Sequence, residues 1–434
     1  MSAFAELNES FAYPVFRRSV RLYRRLRASG LRSLVECSTT ACALGRPPLS
    51  DDLLSAYDGR AAELIARGGG AGSHLPQPAW AGDADAADAA DAGAFGRLPQ
   101  VLEGRTLLFV GDSVARQLAI DLLLAVRFYR EEQLDPRGAP PTHVSLAVNT
   151  HCYVWAREAF RFCFLRASRF SGTRRVPRSA AGRVNASACV QTDLSAFDLG
   201  DALACTRHPL GLDVGDVVVV NAGVHHNQPE SSLRANVESF VRWRDDAQAE
   251  GRLPCTLWRE TFATHFATAD GTFPFDPSQR RSLNLACGRW DSRCSPLPGS
   301  LARDVSVGGT RQKFNDVSNP LLERAGIAIL RTFLPSVALF DVHCECTAPE
   351  VRELDCVHHT FPSPVYQLSL HMLLLALEQR CGAALGDGGG SHSGSARGTA
   401  TANGGRDADA LGARREACWP LGGCTRAGPL NVFG

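Results

Sequence analysis

Thr106 to Val126 reads TLLFVGDSVARQLAIDLLLAV and places Gly-Asp-Ser between two apolar segments of different period. Residues 106–110 are all apolar or β-branched and predict a buried strand that ends at a glycine. Apolar residues at helical spacing predict a helix over Ala115–Phe128. Ser113 therefore lies on a strand-to-helix turn, at the strand end where open α/β sheets place their active sites. Asp and Ser are also favoured N-caps, so position alone leaves capping and catalysis open.

Further strand and helix patterns alternate along the chain after this turn. Alternation of this kind predicts an α/β fold with a mostly parallel sheet and helices on both faces. The segment Arg157–Cys205 is irregular and arginine-rich, and we predict no regular element there. The other predicted strands are Asp216–Asn221, Cys255–Arg259 and Ile327–Phe333, and the other predicted helices are Arg234–Ala249 and Val365–Gln379.

Composition divides the chain into three regions. Residues 1–97 hold a basic helical stretch and a low-complexity linker, residues 98–381 hold the predicted catalytic domain, and residues 382–434 form a Gly/Ser/Ala-rich tail with a small cysteine-containing end. The basic stretch Val15–Arg32 is typical of a membrane-surface helix or a targeting segment, and also of a solvated helix packed on the domain, which we favour. With 46 basic against 45 acidic residues, the chain has no global field that indicates a nucleic-acid partner.

Fifteen cysteines indicate disulfides in an oxidising compartment, because none of the close pairs has the C-x-x-C spacing of a zinc site. Sequons at Asn8 and Asn185 agree with the secretory pathway, in the Golgi lumen or outside the cell. No signal peptide and no apolar run of roughly 20 residues is visible, which leaves open an incomplete N-terminus or an intracellular protein. The close pairs that would close short loops are Cys37/Cys42, Cys152/Cys163, Cys287/Cys294 and Cys418/Cys424.

A nucleophilic serine needs a base and a group that orients the base, and these need only be neighbours in space. Asp355 stands three residues before His358 in a loop that precedes the last helix. In that arrangement the carboxylate can hold the imidazole Nδ1–H and leave Nε2 free to accept the serine proton. Asp355 could equally be a turn residue, and Asp341 in FDVHCEC is a second candidate orienter.

Two more segments carry polar residues at the ends of predicted strands. Asn221-Ala222-Gly223 could supply an amide donor to an oxyanion, or could only build a turn. His225 and its neighbour lack the spacing of a zinc motif, so we predict no metal. The segment Cys255–Phe266 contains Arg259 and His265 among aromatic residues, which is typical of a carbohydrate-binding surface when exposed and of a core when buried.

Taken in order, these segments resemble the SGNH/GDSL hydrolase superfamily, and within it the PC-esterase branch. That branch includes trichome-birefringence-like polysaccharide O-acetyltransferases and the acyltransferase domains of capsule-associated proteins. GDSVARQ is similar to its Gly-Asp-Ser block, with Arg116 three residues after the serine, and NAGVHHN resembles its Asn-x-Gly-His block. The resemblance covers residues 107 to about 377. It departs where His359-Thr360-Phe361-Pro362 replaces a tryptophan-containing continuation.

The resemblance implies an SGNH-hydrolase-like, flavodoxin-like three-layer fold and serine-dependent acetyl transfer to or from carbohydrate hydroxyls, with no cofactor. It implies an acyl donor and a glycan or polysaccharide acceptor as partners. Ser113 matches the nucleophile, His358 the base and Asp355 its orienter. A carbohydrate esterase, a metal-dependent hydrolase and a non-catalytic glycan-binding module remain as alternatives. The remaining residues assigned to oxyanion or substrate contacts are Gly111, Asp112, Arg116, Asn221, Gly223, His225, Arg259 and His265.

Overall fold

The structure is a computed structural model. It describes residues 95–127, 129–130, 141–147, 150–166, 170, 172, 176, 189, 194–223, 230–268, 294–295, 312–333, 336, 356–359 and 364–382. The strands are β1 (Thr106–Gly111), β2 (Thr142–Ala147), β3 (Thr150–Trp155), β4 (Phe160–Arg166), β5 (Val217–Val220), β6 (Cys255–Arg259) and β7 (Ala328–Leu330). The α-helices are α1 (Leu98–Val101), α2 (Ser113–Arg127), α3 (Leu199–Leu210), α4 (Glu230–Ala249), α5 (Gln312–Arg324) and α6 (Pro364–Cys381).

The seven strands form one mixed sheet in the order β2-β3-β4-β1-β5-β6-β7. Strands β4, β1, β5, β6 and β7 are parallel, and β2 and β3 add an antiparallel hairpin at one edge. The chain leaves β1 to build β2–β4 on one side and then returns to build β5 on the other side. In open α/β sheets such a reversal opens a crevice at the carboxyl ends of the strands, and here that crevice lies at the end of β1. The predicted α/β fold with a mostly parallel sheet is confirmed.

Helices cover both faces of the sheet, and β1 shows why its sequence is apolar throughout. Leu107 and Phe109 pack into a core shared with α2 and α6, on what we call the α2 face. Leu108 and Val110 pack into a second core with α3, α4 and α5 on the opposite face. Successive strand residues point to opposite faces, so a strand covered on both sides needs a continuous apolar run. Burying each of these side chains contributes about 1.5–3 kcal/mol.

The prediction that Arg157–Cys205 holds no regular element was wrong. It contains β4, a central strand, and the first part of α3, whose N-cap Asp198 accepts a hydrogen bond from the Asp201 N–H at 2.8 Å. In β4 the three phenylalanines at 160, 162 and 164 all enter the α2-face core. The arginines around these phenylalanines obscured the alternation of apolar and other residues that indicates a strand. Of the N-terminal region (residues 1–97) and the C-terminal tail (residues 382–434), the structure describes only residues 95–97 and 382.

Four disulfides connect the described part of the chain: Cys152–Cys163, Cys189–Cys205, Cys255–Cys381 and Cys294–Cys356. Of the close pairs named from the sequence, Cys152/Cys163 is bonded, and these two residues face each other across β3 and β4. Cys294 bonds to Cys356 and not to its close neighbour Cys287. The other two close pairs lie outside the described residues. Four disulfides indicate an oxidising environment, in the secretory pathway or outside the cell. Among the described helices, none combines the length and apolarity needed to span a bilayer.

Gly111 is required where β1 meets its neighbours, and we predict that Gly111→Ala destabilises the fold. An added Cβ would lie 2.7 Å from both the Ala115 Cβ and the Asn221 carbonyl oxygen. Backbone atoms cannot move aside as the end of a flexible side chain can. Urea unfolding should therefore show that the free energy of unfolding falls by about 3 kcal/mol. Gly251→Ala is the control, because it has a φ of +66° but open space around it, and should lose only about 1 kcal/mol. Equal losses in the two variants would contradict the steric explanation.

Candidate active site

Asp112, in the turn between β1 and α2, is the residue that caps the N-terminus of α2. Its Oδ1 accepts hydrogen bonds from the N–H groups of Val114 at 3.0 Å and Ala115 at 3.2 Å. The Asp112 carbonyl oxygen accepts the bond from the Arg116 N–H at 2.9 Å. Ser113 is the first residue of the helix itself. Capping therefore does not require the Ser113 hydroxyl.

The Ser113 hydroxyl instead meets His358, 245 residues further along the chain. The Ser113 Oγ and the His358 Nε2 are 2.6 Å apart. This is within the distance at which an imidazole can remove a hydroxyl proton. Ser113 is 8% exposed and His358 is half-buried, so the pair lies at a protected edge of the molecule. The structure brings together the two residues that the sequence proposed as nucleophile and base.

Three interactions hold the His358 segment in place. The Cys294–Cys356 disulfide ends two residues before His358. The His265 N–H donates to the Cys356 carbonyl oxygen at 3.1 Å. On α6, the Tyr366 hydroxyl donates to Gln117 Oε1 on α2, the helix that begins with Ser113. His265, predicted as a substrate contact, is completely buried, and its backbone supports the base.

His359, the neighbour of His358, lies in a different environment. Its ring is completely buried and packs edge-on against Phe262 and Tyr366, with centroids 5.6 and 5.3 Å away. Burial lowers the pKa of His359 well below its ordinary value, and the nearby His265, His358 and Arg259 lower it further. His359 is therefore neutral at physiological pH, which leaves His358 as the half-buried imidazole beside Ser113.

Asn221 joins the ends of β5 and β6. Its Nδ2 donates to the Arg259 carbonyl oxygen at 2.9 Å and to Thr261 Oγ1 at 3.4 Å. Its Oδ1 is buried and has no hydrogen-bond partner among the described residues. The amide nitrogen is thus used within the fold, and donation from it to an oxyanion stays a prediction. Gly223 stands so close to Thr261 that a Cβ would overlap the Thr261 Oγ1, so packing alone requires this glycine.

Arg259 is a buried cation behind the Ser113 turn. Its guanidinium lies 4.2 Å from the centroid of the Phe262 ring and donates from Nη1 to the Glu260 carbonyl oxygen at 3.0 Å. Its Nη2 has no hydrogen-bond partner among the described residues. Burial lowers the pKa of Arg259 to about 10, although electrostatic interactions with Asp112, Tyr366 and Glu260 oppose the shift. Arg259 therefore stays protonated at neutral pH.

The segment around Arg259 lies in the core and is not exposed, which is the second of the two alternatives that its sequence left open. Trp258 is 1% exposed and Phe266 is 3% exposed. The physical reason is the position of β6, which pairs with β5 on one side and β7 on the other and is covered on both faces. Glu260 likewise serves the fold: its carboxylate accepts hydrogen bonds from Asn319 Nδ2, Arg331 Nη1 and the Phe333 N–H.

Arg116 lies on the first turn of α2 and is half-buried. Burial lowers the pKa of Arg116 to about 10, and the positive charge of Arg166 lowers it further. Arg166 ends β4 directly opposite Gly111. The sequence did not predict Arg166 because β4 was not recognised, although Phe-x-Phe-x-Phe before an arginine was a readable signal.

Several predicted residues lie outside the described part of the chain. These are the candidate orienters Asp355 and Asp341 and the candidate substrate contact His225. Within the described ranges, no three His, Cys, Asp or Glu side chains come together in a way that could hold a metal ion.

No family model matches this chain, and no curated protein sequence matches it significantly.

The burial of His359 predicts a loss of stability in acid. The folded protein keeps His359 neutral, whereas in the unfolded chain this imidazole takes up a proton below a pKa of about 6.5. The unfolded state then binds more protons, so the free energy of unfolding falls by up to about 1.4 kcal/mol per pH unit below that value. Urea unfolding between about pH 7 and pH 5 measures how the free energy of unfolding changes with pH. In His359→Phe this pH dependence should be smaller by the contribution of one proton, up to about 1.4 kcal/mol per pH unit. An unchanged slope in the variant would contradict the assignment.

Proposed function

We propose that this protein transfers acyl groups to or from carbohydrate hydroxyls through an acyl-enzyme intermediate on Ser113. The observation that carries the proposal is the 2.6 Å contact between Ser113 Oγ and His358 Nε2 at the carboxyl end of β1. A glycan-binding module has no need of a serine hydroxyl held against an imidazole, so we favour catalysis over binding alone.

The proposed reaction has two halves. His358 Nε2 accepts the Ser113 proton while Oγ attacks the carbonyl carbon of an ester. The tetrahedral intermediate collapses, the leaving alkoxide takes the proton from His358, and the acyl group remains on Ser113. His358 then removes a proton from an acceptor hydroxyl, whose oxygen attacks the acyl-enzyme. Collapse of the second intermediate returns the proton to Ser113.

The negative oxygen of each intermediate needs hydrogen-bond donors, each worth about 2.7–4 kcal/mol in comparable enzymes. We propose that the first donor is the backbone N–H of Ser113, which lies at the positive end of α2. Asn221 is the second proposed donor. It can turn towards the oxyanion by exchanging its contact with Thr261 Oγ1, which at 3.4 Å is the longer of its two.

The acceptor decides between transferase and esterase, because both use the same serine and histidine. The motif resemblance supports acetyl as the acyl group and a polysaccharide as the acceptor. The disulfides support a location in the Golgi lumen or outside the cell. Incubating the protein with an acetyl donor and a panel of oligosaccharides separates the two outcomes: transferred acetyl supports the transferase, and acetate release without transfer supports the esterase.

Ser113→Ala should abolish turnover of an acetyl ester and labelling by a fluorophosphonate probe, since both require the Oγ nucleophile. Loss of a triad serine typically lowers kcat about 10⁶-fold. The matched control is Ser231→Ala on the exposed side of α4, which should keep full labelling. Persistent labelling in the Ser113 variant would show that another residue is the nucleophile.

The orienter of His358 can be identified by comparing Asp355→Asn with Asp341→Asn. The true orienter keeps the proton on Nδ1, and its replacement by an amide holds the wrong tautomer and lowers kcat about 10⁴-fold. We expect the larger loss in Asp355→Asn. A larger loss in Asp341→Asn would transfer the role to Asp341, and equal small losses would exclude both.

A further inference from the structure

Two arginines lie beside Ser113 on the α2 face of the sheet. Arg166 pairs with Gly111 across β4 and β1, so its backbone is about 4.8 Å from the residue two positions before the serine. Phe162 and Phe164 of the same strand enter the α2-face core, and the alternation of side chains places Arg166 on that face as well. Arg116 lies on the helix that covers this face, three residues after Ser113. We call Arg116 and Arg166 the arginine pair.

No described carboxylate forms an ion pair with either member of the arginine pair. Arg166 is exposed and Arg116 is half-buried, and both residues lie at the edge of the sheet that carries the serine. Two like charges held together without a counter-ion repel each other, and the charge of Arg166 indeed lowers the pKa of Arg116. With a pKa of about 10, Arg116 stays protonated at neutral pH. A bound anion would relieve this repulsion.

The neighbouring residues of β2 and β3 add rings and no negative charge. His151 and Tyr153 lie on the same face, and His143 on β2 stands opposite Tyr153. The ring of His143 is 5.6 Å from that of His151 and 5.2 Å from that of Tyr153. Burial lowers the pKa of His151, as do the charges of His143 and Arg116, so His151 is neutral at neutral pH. The described groups that face the arginine pair thus leave its two positive charges uncompensated.

We propose that the ester or acceptor used by Ser113 carries an anionic group, a carboxylate or a phosphate, which binds between Arg116 and Arg166. The planar guanidinium of arginine donates two parallel hydrogen bonds to either anion, which fixes orientation as well as charge. A group held there lies one turn of α2 from Ser113, close enough to position the rest of the same small substrate at the nucleophile. This inference rests on the proposed function and adds a substrate class to it.

The test compares three acetylated sugars that differ in one substituent: glucose, glucuronic acid and glucose 6-phosphate. We expect the native protein to have a kcat/KM at least about tenfold higher for the anionic esters, as one charge-assisted hydrogen bond provides. The carboxylate and phosphate arms show which anion is preferred. In Arg116→Gln and Arg166→Gln this preference should fall about tenfold, mainly through KM. The control is Arg157→Gln, whose arginine is 78% exposed in the turn before β4 and should keep the native preference.

Binding provides a second measurement that does not need turnover. Calorimetry should detect glucuronic acid binding to Ser113→Ala and should detect at least about tenfold weaker binding after Arg166→Gln is added. Equal kcat/KM for neutral and anionic esters in a Ser113-dependent enzyme would overturn the anion site and leave the proposed function standing. Retained turnover in Ser113→Ala would overturn the function, and the binding measurement would then decide the anion site alone. Unfolding curves of each variant show whether a loss reflects folding.

Discussion

The hydrogen bond between Ser113 and His358 joins segments that are 245 residues apart, and its geometry depends on how rigidly each is held. Ser113 is fixed because β1 lies between β4 and β5 and leads into a helix capped by Asp112. His358 has no strand of its own and depends on attachments to its neighbours. The disulfide to Cys294 and the backbone bond from His265 supply two of them. A shift of about 1 Å at either segment would break the contact, as reacting groups must stay near 3 Å.

Charge within the core is arranged around the same turn. Asp112 is 3% exposed, and a carboxylate at that depth needs both hydrogen-bond donors and a compensating charge. The N–H groups of Val114 and Ala115 supply the donors, and Arg259 supplies the charge from behind. Arg259 in turn rests on the face of Phe262, which also contacts His359. Arg259, which the sequence suggested as a substrate contact, therefore acts on the site through the cap of α2.

Sequence patterns predicted those parts of the fold in which one local signal dominates. The sequence predicted β1 and the helix after it, because a continuous apolar run and a helical spacing of apolar residues are distinct patterns and a glycine separates them. The contact between Ser113 and His358 followed from motif order, since spacing could not bring together residues so far apart. β4 was missed because arginines interrupt its phenylalanines, and Arg166 was missed with it. The partner of Cys294 was also beyond reach, because Cys356 is 62 residues away along the chain and only the folded chain places it beside Cys294.

The bond between Cys294 and Cys356 makes the contact between Ser113 and His358 dependent on cellular redox conditions. Without it, the sheet and the Ser113 turn would keep their own support, but the imidazole would lose a covalent attachment two residues away. A chain made in a reducing cytosol would then fold around a correctly capped serine whose base is poorly positioned. Export into an oxidising compartment would complete the contact between Ser113 and His358, so that synthesis of the chain and assembly of this site are separated in space.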